Sequence, residues 1–156
     1  MWGIVLKKRL TGIAVALAVT VGGSLTLAAP AQAATPAIQI TKAYYNSPGT
    51  DDRSTSSLNA EYVKLTNRKT TTVNLKSWTL RDKSSHVYTF TSDFKLAAGA
   101  SVTIHTGKGT NTSTHRYWGS GAYIWNNTGD TAYVRDTAGK TIDSCSWGSS
   151  GSYTNC

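Results

Sequence analysis

The residues able to carry out catalysis are few in this 156-residue chain, and they lie far apart. Asp51 and Asp52 are the only adjacent carboxylates, whereas a glycosidase needs two carboxyl groups on either side of a cleft. Their place in a polar stretch, residues 51–59, predicts a solvated loop, with weak calcium binding through carboxylate oxygens as the alternative. Glu61 follows this stretch, and we expect it to accept backbone N–H groups from a neighbouring loop rather than to act on a substrate.

The other candidate nucleophiles and bases form no catalytic or metal-binding pattern. His86, His105 and His115 follow no zinc-ligand spacing and are predicted to be surface histidines. Residues 148–152 (GSSGS) carry serine where the motif G-x-S-x-G requires its second glycine, and residues 107–110 (GKGT) lack the full phosphate-loop pattern. The sequence therefore predicts a protein that is not an enzyme and uses no metal or cofactor. A small secreted hydrolase is the least favoured alternative.

Binding chemistry is better represented, in an aromatic segment between residues 115 and 125. Arg116, Tyr117, Trp118, Tyr123 and Trp125 lie there, with glycine and serine between them. Exposed rings stack on sugars or bases and anchor protein contacts. For Trp118 and Trp125 we favour a place at the end of the core, with exposure for binding as the alternative, so Tyr117 and Tyr123 are favoured as the exposed members.

Basic residues outnumber acidic ones, with 16 Lys and Arg against 8 Asp and Glu, which gives a net charge of +8. Three of these cations lie within the first nine residues, which leaves +5 for the rest of the chain. The remaining cations are dispersed, and Arg68 and Lys69 are the only adjacent pair among them. Such residues either provide solubility or gather on the folded surface into a patch that attracts nucleic acid or another polyanion. Arg68, Lys69 and Arg116 are the basic candidates for binding.

The first 34 residues have the organisation of a signal peptide. Lys7, Lys8 and Arg9 precede an apolar stretch over residues 10–29, and small side chains follow at residues 31–33 (AQA). We expect cleavage near Ala33 or Ala34, although the apolar stretch is long enough to serve as an uncleaved anchor instead. A glycine pair at residues 22–23 and the cleavage site favour removal, and no later segment is apolar enough to span a bilayer. The prediction is a secreted protein with one domain over residues 35–156.

Cys145 and Cys156 are the two cysteines, and both belong to the part predicted to be exported. Because exported proteins meet an oxidising compartment, we predict that they form a disulfide. The bond closes a loop around the Gly- and Ser-rich tail at residues 148–155 and holds the tail to the domain. A reactive thiol pair, the alternative, is typical of a C-x-x-C spacing that the chain lacks.

Apolar residues alternate with polar ones along nearly the whole of residues 35–156, a period of two that predicts short half-buried strands. Val63 and Leu65 alternate with polar neighbours, as do Val102 and Ile104, and no stretch has a helical period. Turn signals rich in Gly, Asn and Asp separate the strands. Seven or eight such strands must bury their apolar faces against one another, which predicts an all-β sandwich, with a closed barrel as the alternative.

The order of these segments resembles the lamin-tail domain (LTD) family, in its secreted bacterial branch. The resemblance is carried by residues 61–67 (EYVKLTN), 73–82 (VNLKSWTLRD), 88–90 (YTF), 96–104 (LAAGASVTI), 117–118 (YW) and 124–136 (IWNNTGDTAYVRD). It extends over about residues 37–147 and departs at Thr91, where many members have proline. It implies an immunoglobulin-like β-sandwich and supplies no catalytic residue.

The same resemblance implies function only broadly. Lamin-tail domains of nuclear lamins bind protein partners and, more weakly, DNA, and those of exported bacterial proteins look like accessory or binding modules. We therefore predict a secreted, monomeric, non-catalytic module that contacts a protein or a cell-envelope component. A nucleic-acid- or polyanion-binding accessory domain is the alternative.

Overall fold

The computed structural model describes residues 34–156. The predicted signal peptide, residues 1–34, lies outside the described residues except for Ala34. The elements of the described part are β1 (Ile38–Tyr44), α1 (Thr55–Ala60), β2 (Tyr62–Asn67), β3 (Val73–Asn74), β4 (Thr79–Arg81), β5 (Val87–Thr89), β6 (Lys95–Leu96), β7 (Ser101–His105), β8 (His115–Tyr117), β9 (Asp130–Arg135), β10 (Thr141–Trp147) and β11 (Tyr153–Asn155).

The strands form two main sheets and one small pair. The five-stranded sheet has the order β11-β1-β2-β7-β8, the four-stranded sheet has the order β10-β9-β4-β5, and β3 pairs with β6. Strands β7 and β8 run parallel, whereas the other neighbours run antiparallel. Side chains from one face of each main sheet meet in a single apolar core. The predicted β-sandwich is confirmed, and the barrel alternative is wrong.

The inward positions of the central strands follow the alternation seen in the sequence. Val63 and Leu65 of β2 pair with Ile104 and Val102 of β7, and all four side chains are at most 1% exposed. Lys64, between the two β2 core residues, points to the other face and is exposed. The branched and apolar side chains therefore define which face of the five-stranded sheet is covered.

The predicted disulfide between Cys145 and Cys156 is present, with the two Cα atoms 5.9 Å apart. Cys145 lies in β10, at an edge of the four-stranded sheet, and Cys156 directly follows β11, at an edge of the five-stranded sheet. A carboxylate oxygen of Asp143 in β10 also accepts a hydrogen bond of 2.7 Å from the backbone N–H of Ile40 in β1. The disulfide thus holds the tail, as predicted, and also joins the two sheets along one side.

The prediction that no helix forms is wrong, because α1 lies within the stretch that we expected to be a loop. Its six residues are short for a helix, and serine and threonine favour helices weakly. The Ser54 hydroxyl caps the first turn by accepting from the N–H of Ser57, and Leu58 is the apolar side chain that the helix buries. A helix with one buried apolar residue leaves no periodic signal in the sequence. Within residues 34–156, no helix has the length and apolar character needed to cross a membrane.

Candidate functional site

The outer face of the five-stranded sheet carries one ring from each of its strands. In sheet order these are Tyr153 of β11, Tyr44 of β1, Tyr62 of β2, His105 of β7 and Tyr117 of β8; we call them the ring row. Each member is the register partner of the next, so the row crosses the sheet at right angles to the strands. Because neighbouring strands lie about 4.8 Å apart, the row is about 20 Å long.

Alternation along each strand places these rings outside. Ala43, Val63 and Ile104 are buried in the core, so the adjacent residues Tyr44, Tyr62 and His105 face away from it. The parallel pairing of β7 and β8 then sets Tyr117 beside His105. A residue two positions away along any of these strands would lie on the same face, about 7 Å from the row.

The rings of the row lean against one another. Centroid separations are 5.7 Å for Tyr153 and Tyr44, 5.5 Å for Tyr44 and Tyr62, 5.8 Å for Tyr62 and His105, and 5.0 Å for His105 and Tyr117. Three of the four contacts are stacked, with interplanar angles of 17° to 25°, and the contact between Tyr62 and His105 is tilted by 58°. Neighbours therefore cover much of each ring face and leave the ring tips to the solvent.

One end of the row is covered and the other is open. Lys42 places its Nζ atom 4.1 Å from the centroid of Tyr153 and 5.7 Å from that of Tyr44, so it contacts both rings from the Tyr44 side and leaves the outer face of Tyr153 exposed. Gly109 lies so close to Tyr117 that a Cβ atom on this glycine would overlap the ring. The loop at residues 107–110, predicted to connect strands, does so between β7 and β8, and its glycine allows Tyr117 to lie flat against the backbone.

A second line of side chains lies on the same face, two residues further along each strand. In sheet order it consists of Asn155, Lys42, Lys64, Thr103 and His115; we call it the polar row. Lys42 and Lys64 are direct register partners, an arrangement of like charges that destabilises a sheet. Among the described residues, no carboxylate forms an ion pair with either lysine. The face is therefore positively charged, and its charge has no internal partner in this part of the chain.

His105 joins the two rows through hydrogen bonds at both ring nitrogens. Its Nδ1 atom lies 2.7 Å from the carbonyl oxygen of Asn59 in α1, and its Nε2 atom lies 2.9 Å from Nδ1 of His115. A carbonyl oxygen can only accept, so Nδ1 of His105 carries a hydrogen and Nε2 accepts from His115 when both rings are neutral. Desolvation lowers the pKa of His105, the bond to Asn59 opposes this, and the charge of His115 lowers the pKa further. The lysines, rather than His105, thus supply the positive charge near neutral pH.

Glu61 fixes one end of this sheet from inside the molecule. Its side chain is fully buried at the start of β2, and Oε1 accepts hydrogen bonds from the Thr106 hydroxyl at 2.6 Å and from the backbone N–H groups of Ile124 and Trp125 at 2.8 and 3.2 Å. The expectation that Glu61 accepts backbone N–H groups from a neighbouring loop is confirmed. Burial raises the pKa of Glu61 to about 7, although the three hydrogen bonds act in the opposite direction.

The predicted aromatic segment divides between the surface and the core. Tyr117 belongs to the ring row, whereas Tyr123 is half-buried and its hydroxyl lies 2.6 Å from that of Ser57 in α1. Trp125 is 2% exposed and contacts Trp118 edge to face, with centroids 5.8 Å apart, so Trp125 belongs to the core, as favoured above. Trp118 is partly buried against the same core.

The predicted basic candidates do not join Tyr117 on one surface. Arg116 lies on the opposite face of β8 from Tyr117, with its guanidinium 4.7 Å from the centroid of buried Phe94. Arg68 and Lys69 are exposed but follow the last residue of β2, whereas Tyr62 is its first, so the length of the strand, about 17 Å, separates them. Arg68 donates through Nε to the side chain of Gln39 at 2.6 Å.

The acidic pair is exposed near the start of α1. Asp52 accepts a hydrogen bond of 2.8 Å from the backbone N–H of Ser54, and this bond lowers the pKa of Asp52. Asp51 Oδ2 lies 3.4 Å from the side-chain nitrogen of Asn127. Within residues 34–156, no three His, Cys, Asp or Glu side chains converge as metal ligands. A calcium ion at Asp51 and Asp52 would therefore have two carboxylates and no third His, Cys, Asp or Glu ligand in the described part of the chain.

Sequence reasoning missed four of the five members of the ring row. Tyr44, Tyr62 and Tyr153 lie far from one another and from the aromatic segment in the sequence, and His105 was predicted only to face the surface. The sequence did carry one signal, because each of these four residues is at an outward position near one end of a strand. This signal identifies a shared surface only when the registers between distant strands are known.

Comparison with known families gives one match. The family model described as Lamin Tail Domain matches residues 31–149. The matched region includes every strand from β1 to β10, whereas β11 with Tyr153 lies beyond it. A comparison with curated proteins gives no match.

Proposed function

The chain belongs to the Lamin Tail Domain family, whose members are non-catalytic immunoglobulin-like domains, and we propose that it is a secreted binding module that contacts a protein or a cell-envelope partner. The contact is made by the outer face of the five-stranded sheet. This proposal combines the family with the signal peptide expected at residues 1–34.

One observation carries the proposal, namely the ring row. Folding does not require aromatic side chains on the solvent-exposed face of a sheet, yet here each of the five strands supplies a ring at paired register positions. Tyrosines present a large, rigid contact area at a small cost in conformational entropy, and they are frequent in binding surfaces. Tyr153, at the end of the row, is 49% exposed, which is high for so large a side chain.

The test is capture of a partner from culture supernatant and from envelope fractions by the tagged protein. We expect Tyr44→Ala and Tyr62→Ala to remove the captured material while the protein stays folded. Tyr133→Ala is the matched control, because Tyr133 lies on the outer face of the other sheet, between buried Ala132 and Val134. Capture that is equal for all three variants would show that another surface makes the contact.

Secretion is tested separately. Mass spectrometry of the protein recovered from the culture medium should find an N-terminus at residue 34 or 35. Retention of the full-length chain in the membrane fraction would instead support the uncleaved anchor.

Nucleic-acid or polyanion binding is the second candidate, and the adjacent, unpaired charges of Lys42 and Lys64 favour it. Affinity that arises from these charges must fall steeply as salt increases. A gel shift whose midpoint is the same at low and high salt would eliminate this candidate. A small hydrolase is the least favoured, and a broad panel of phosphate-ester and glycoside substrates tests it.

A further inference from the structure

We infer that the outer face of the five-stranded sheet binds an extended polysaccharide whose sugar rings bear carboxylate groups. This inference rests on the proposed binding function and names the chemistry of the ligand. It follows from the free hydroxyl groups of the ring row, the coverage of its ring faces, and the position of the lysines beside it.

The ring row presents a line of hydroxyl groups that have no partner in the described protein. The hydroxyls of two other tyrosines are bonded, Tyr45 to the carbonyl of Ser150 at 2.7 Å and Tyr123 to Ser57. Within residues 34–156, the hydroxyls of Tyr44, Tyr62, Tyr117 and Tyr153 make no hydrogen bond to a protein group; those of Tyr88 and Tyr133 are also unbonded but belong to the other sheet. Each hydroxyl is a donor and an acceptor; those of Tyr153, Tyr44 and Tyr62 follow at about one strand spacing, and that of Tyr117 lies two spacings from Tyr62, beyond His105. An extended chain of six-membered sugar rings advances by a comparable distance per ring and carries hydroxyls along its length.

The same geometry disfavours nucleobases. A base binds an aromatic side chain through an open ring face. In the row, the inner faces are turned toward neighbouring rings and Gly109 packs against Tyr117, so only the outer face of Tyr153 is open, which is too little for a run of stacked bases. The ring edges and hydroxyls that remain exposed are suited to hydrogen bonding with a polyol rather than to stacking.

The polar row explains why the polysaccharide should be acidic. Lys42 and Lys64 are opposed across β1 and β2 although this arrangement costs stability, and an anion lying between them removes the repulsion. The Cα atoms of the two lysines lie about 7 Å from those of Tyr44 and Tyr62 along their strands, and the Lys42 ammonium group reaches back to the rings. A carboxylate attached directly to a sugar ring that contacts the ring row is within reach of the lysine ammonium groups. The outward positions of the ring row and the polar row include no carboxylate that would repel such a chain.

The experiment measures binding of three probes of equal length by calorimetry: an oligogalacturonate, a neutral maltodextrin and an oligothymidylate. We expect the protein to bind the oligogalacturonate, with an affinity that falls as salt rises, and to bind the maltodextrin too weakly to measure. Tyr62→Phe removes one hydroxyl and keeps the ring, so it should weaken oligogalacturonate binding by about 3- to 10-fold. Tyr133→Phe, on the other sheet, should have no effect.

The charge arm of the test uses a matched pair of double variants. Lys42→Gln with Lys64→Gln should weaken oligogalacturonate binding at least about tenfold. Lys95→Gln with Lys140→Gln removes the same charge at two exposed positions away from this face and should change affinity little. Melting temperatures of all variants show whether each is folded.

The outcomes separate this inference from the proposed function. The inference is wrong if the oligogalacturonate does not bind. It is also wrong if the oligothymidylate binds more tightly than the oligogalacturonate and Tyr62→Phe leaves oligothymidylate binding unchanged. If envelope or protein capture still depends on Tyr44 and Tyr62 in that case, the proposed function stands with a ligand of another kind. If capture is independent of the ring row as well, both are wrong.

Discussion

Glu61→Gln should change how the stability of the protein depends on pH. Burial raises the pKa of Glu61 in the folded protein to about 7, whereas the ordinary value, expected for the unfolded chain, is 4.5. Glutamine keeps an oxygen that can accept from Thr106, Ile124 and Trp125 but has no proton to lose. The substitution therefore removes the titration with little change in the hydrogen bonds at Oε1.

The sign of the effect follows from proton binding. Below pH 4.5 the carboxyl group is protonated in both states, so the stabilisation that comes from its raised pKa is fully present. Between pH 4.5 and 7 the unfolded chain releases its proton while the folded protein retains it, so the free energy of unfolding falls as pH rises. The difference of about 2.5 pKa units corresponds to a loss of about 3 kcal/mol, complete somewhat above pH 7.

Urea unfolding of the wild-type protein and of Glu61→Gln at several pH values between 4 and 8 measures this loss. Subtracting one profile from the other leaves the contribution of Glu61, because the two proteins share all other ionisable groups. The wild-type stability should fall relative to the variant by about 3 kcal/mol across this range. Parallel profiles would show that Glu61 does not titrate in this window and would refute the reasoning from burial.

Four further substitutions test the sandwich and its connections. Val63→Asp places an unpaired charge in the core and should cost more than about 3 kcal/mol, whereas Lys64→Ala removes an exposed side chain opposite Lys42 and should leave the melting temperature unchanged or slightly raised; a large loss of stability in both variants would mean that the register of β2 is wrong. Cys156→Ser should lower stability by about 3 kcal/mol through loss of loop closure and expose the tail to protease, and a cleavage pattern like that of the wild type would contradict this. Gly129→Ala should destabilise by about 1 kcal/mol or more, because φ is 130° there and a Cβ atom would approach the carbonyl oxygen of Trp147 to 3.3 Å; an unchanged urea midpoint would count against this constraint.

The sequence was sufficient for the sandwich because the information is local. The outward or inward direction of Val63, Leu65, Val102 and Ile104 depends on alternation within a single strand, and burial follows from it. The disulfide was accessible for a similar reason, since two cysteines in an oxidising compartment leave a single intramolecular pairing. The helix α1 could not be predicted in this way, because the cap at Ser54 and one buried leucine produce almost no periodic pattern in the sequence.

The candidate surface depends on which strands pair and in what register, and a single sequence does not show this. Tyr44 and Tyr153 are adjacent in space because β1 pairs with β11, and Tyr117 meets His105 because β8 runs parallel to β7. The aromatic segment shows the opposite limit. Trp125 and Tyr117 are close in the sequence, yet the fold buries Trp125 and leaves Tyr117 partly exposed.

The disulfide gives the ring row a dependence on redox conditions. Strand β11 contributes three residues, each paired with β1, and Cys156 directly after it is bonded to Cys145. A strand of three residues at a sheet edge has few hydrogen bonds to hold it, so reduction of the disulfide should let it fray and carry Tyr153 away from Tyr44. Reducing conditions would then shorten the ring row to four rings, and oxidation of the two cysteines would restore Tyr153 to it. Ligand affinity measured with and without a thiol reductant would measure this dependence directly.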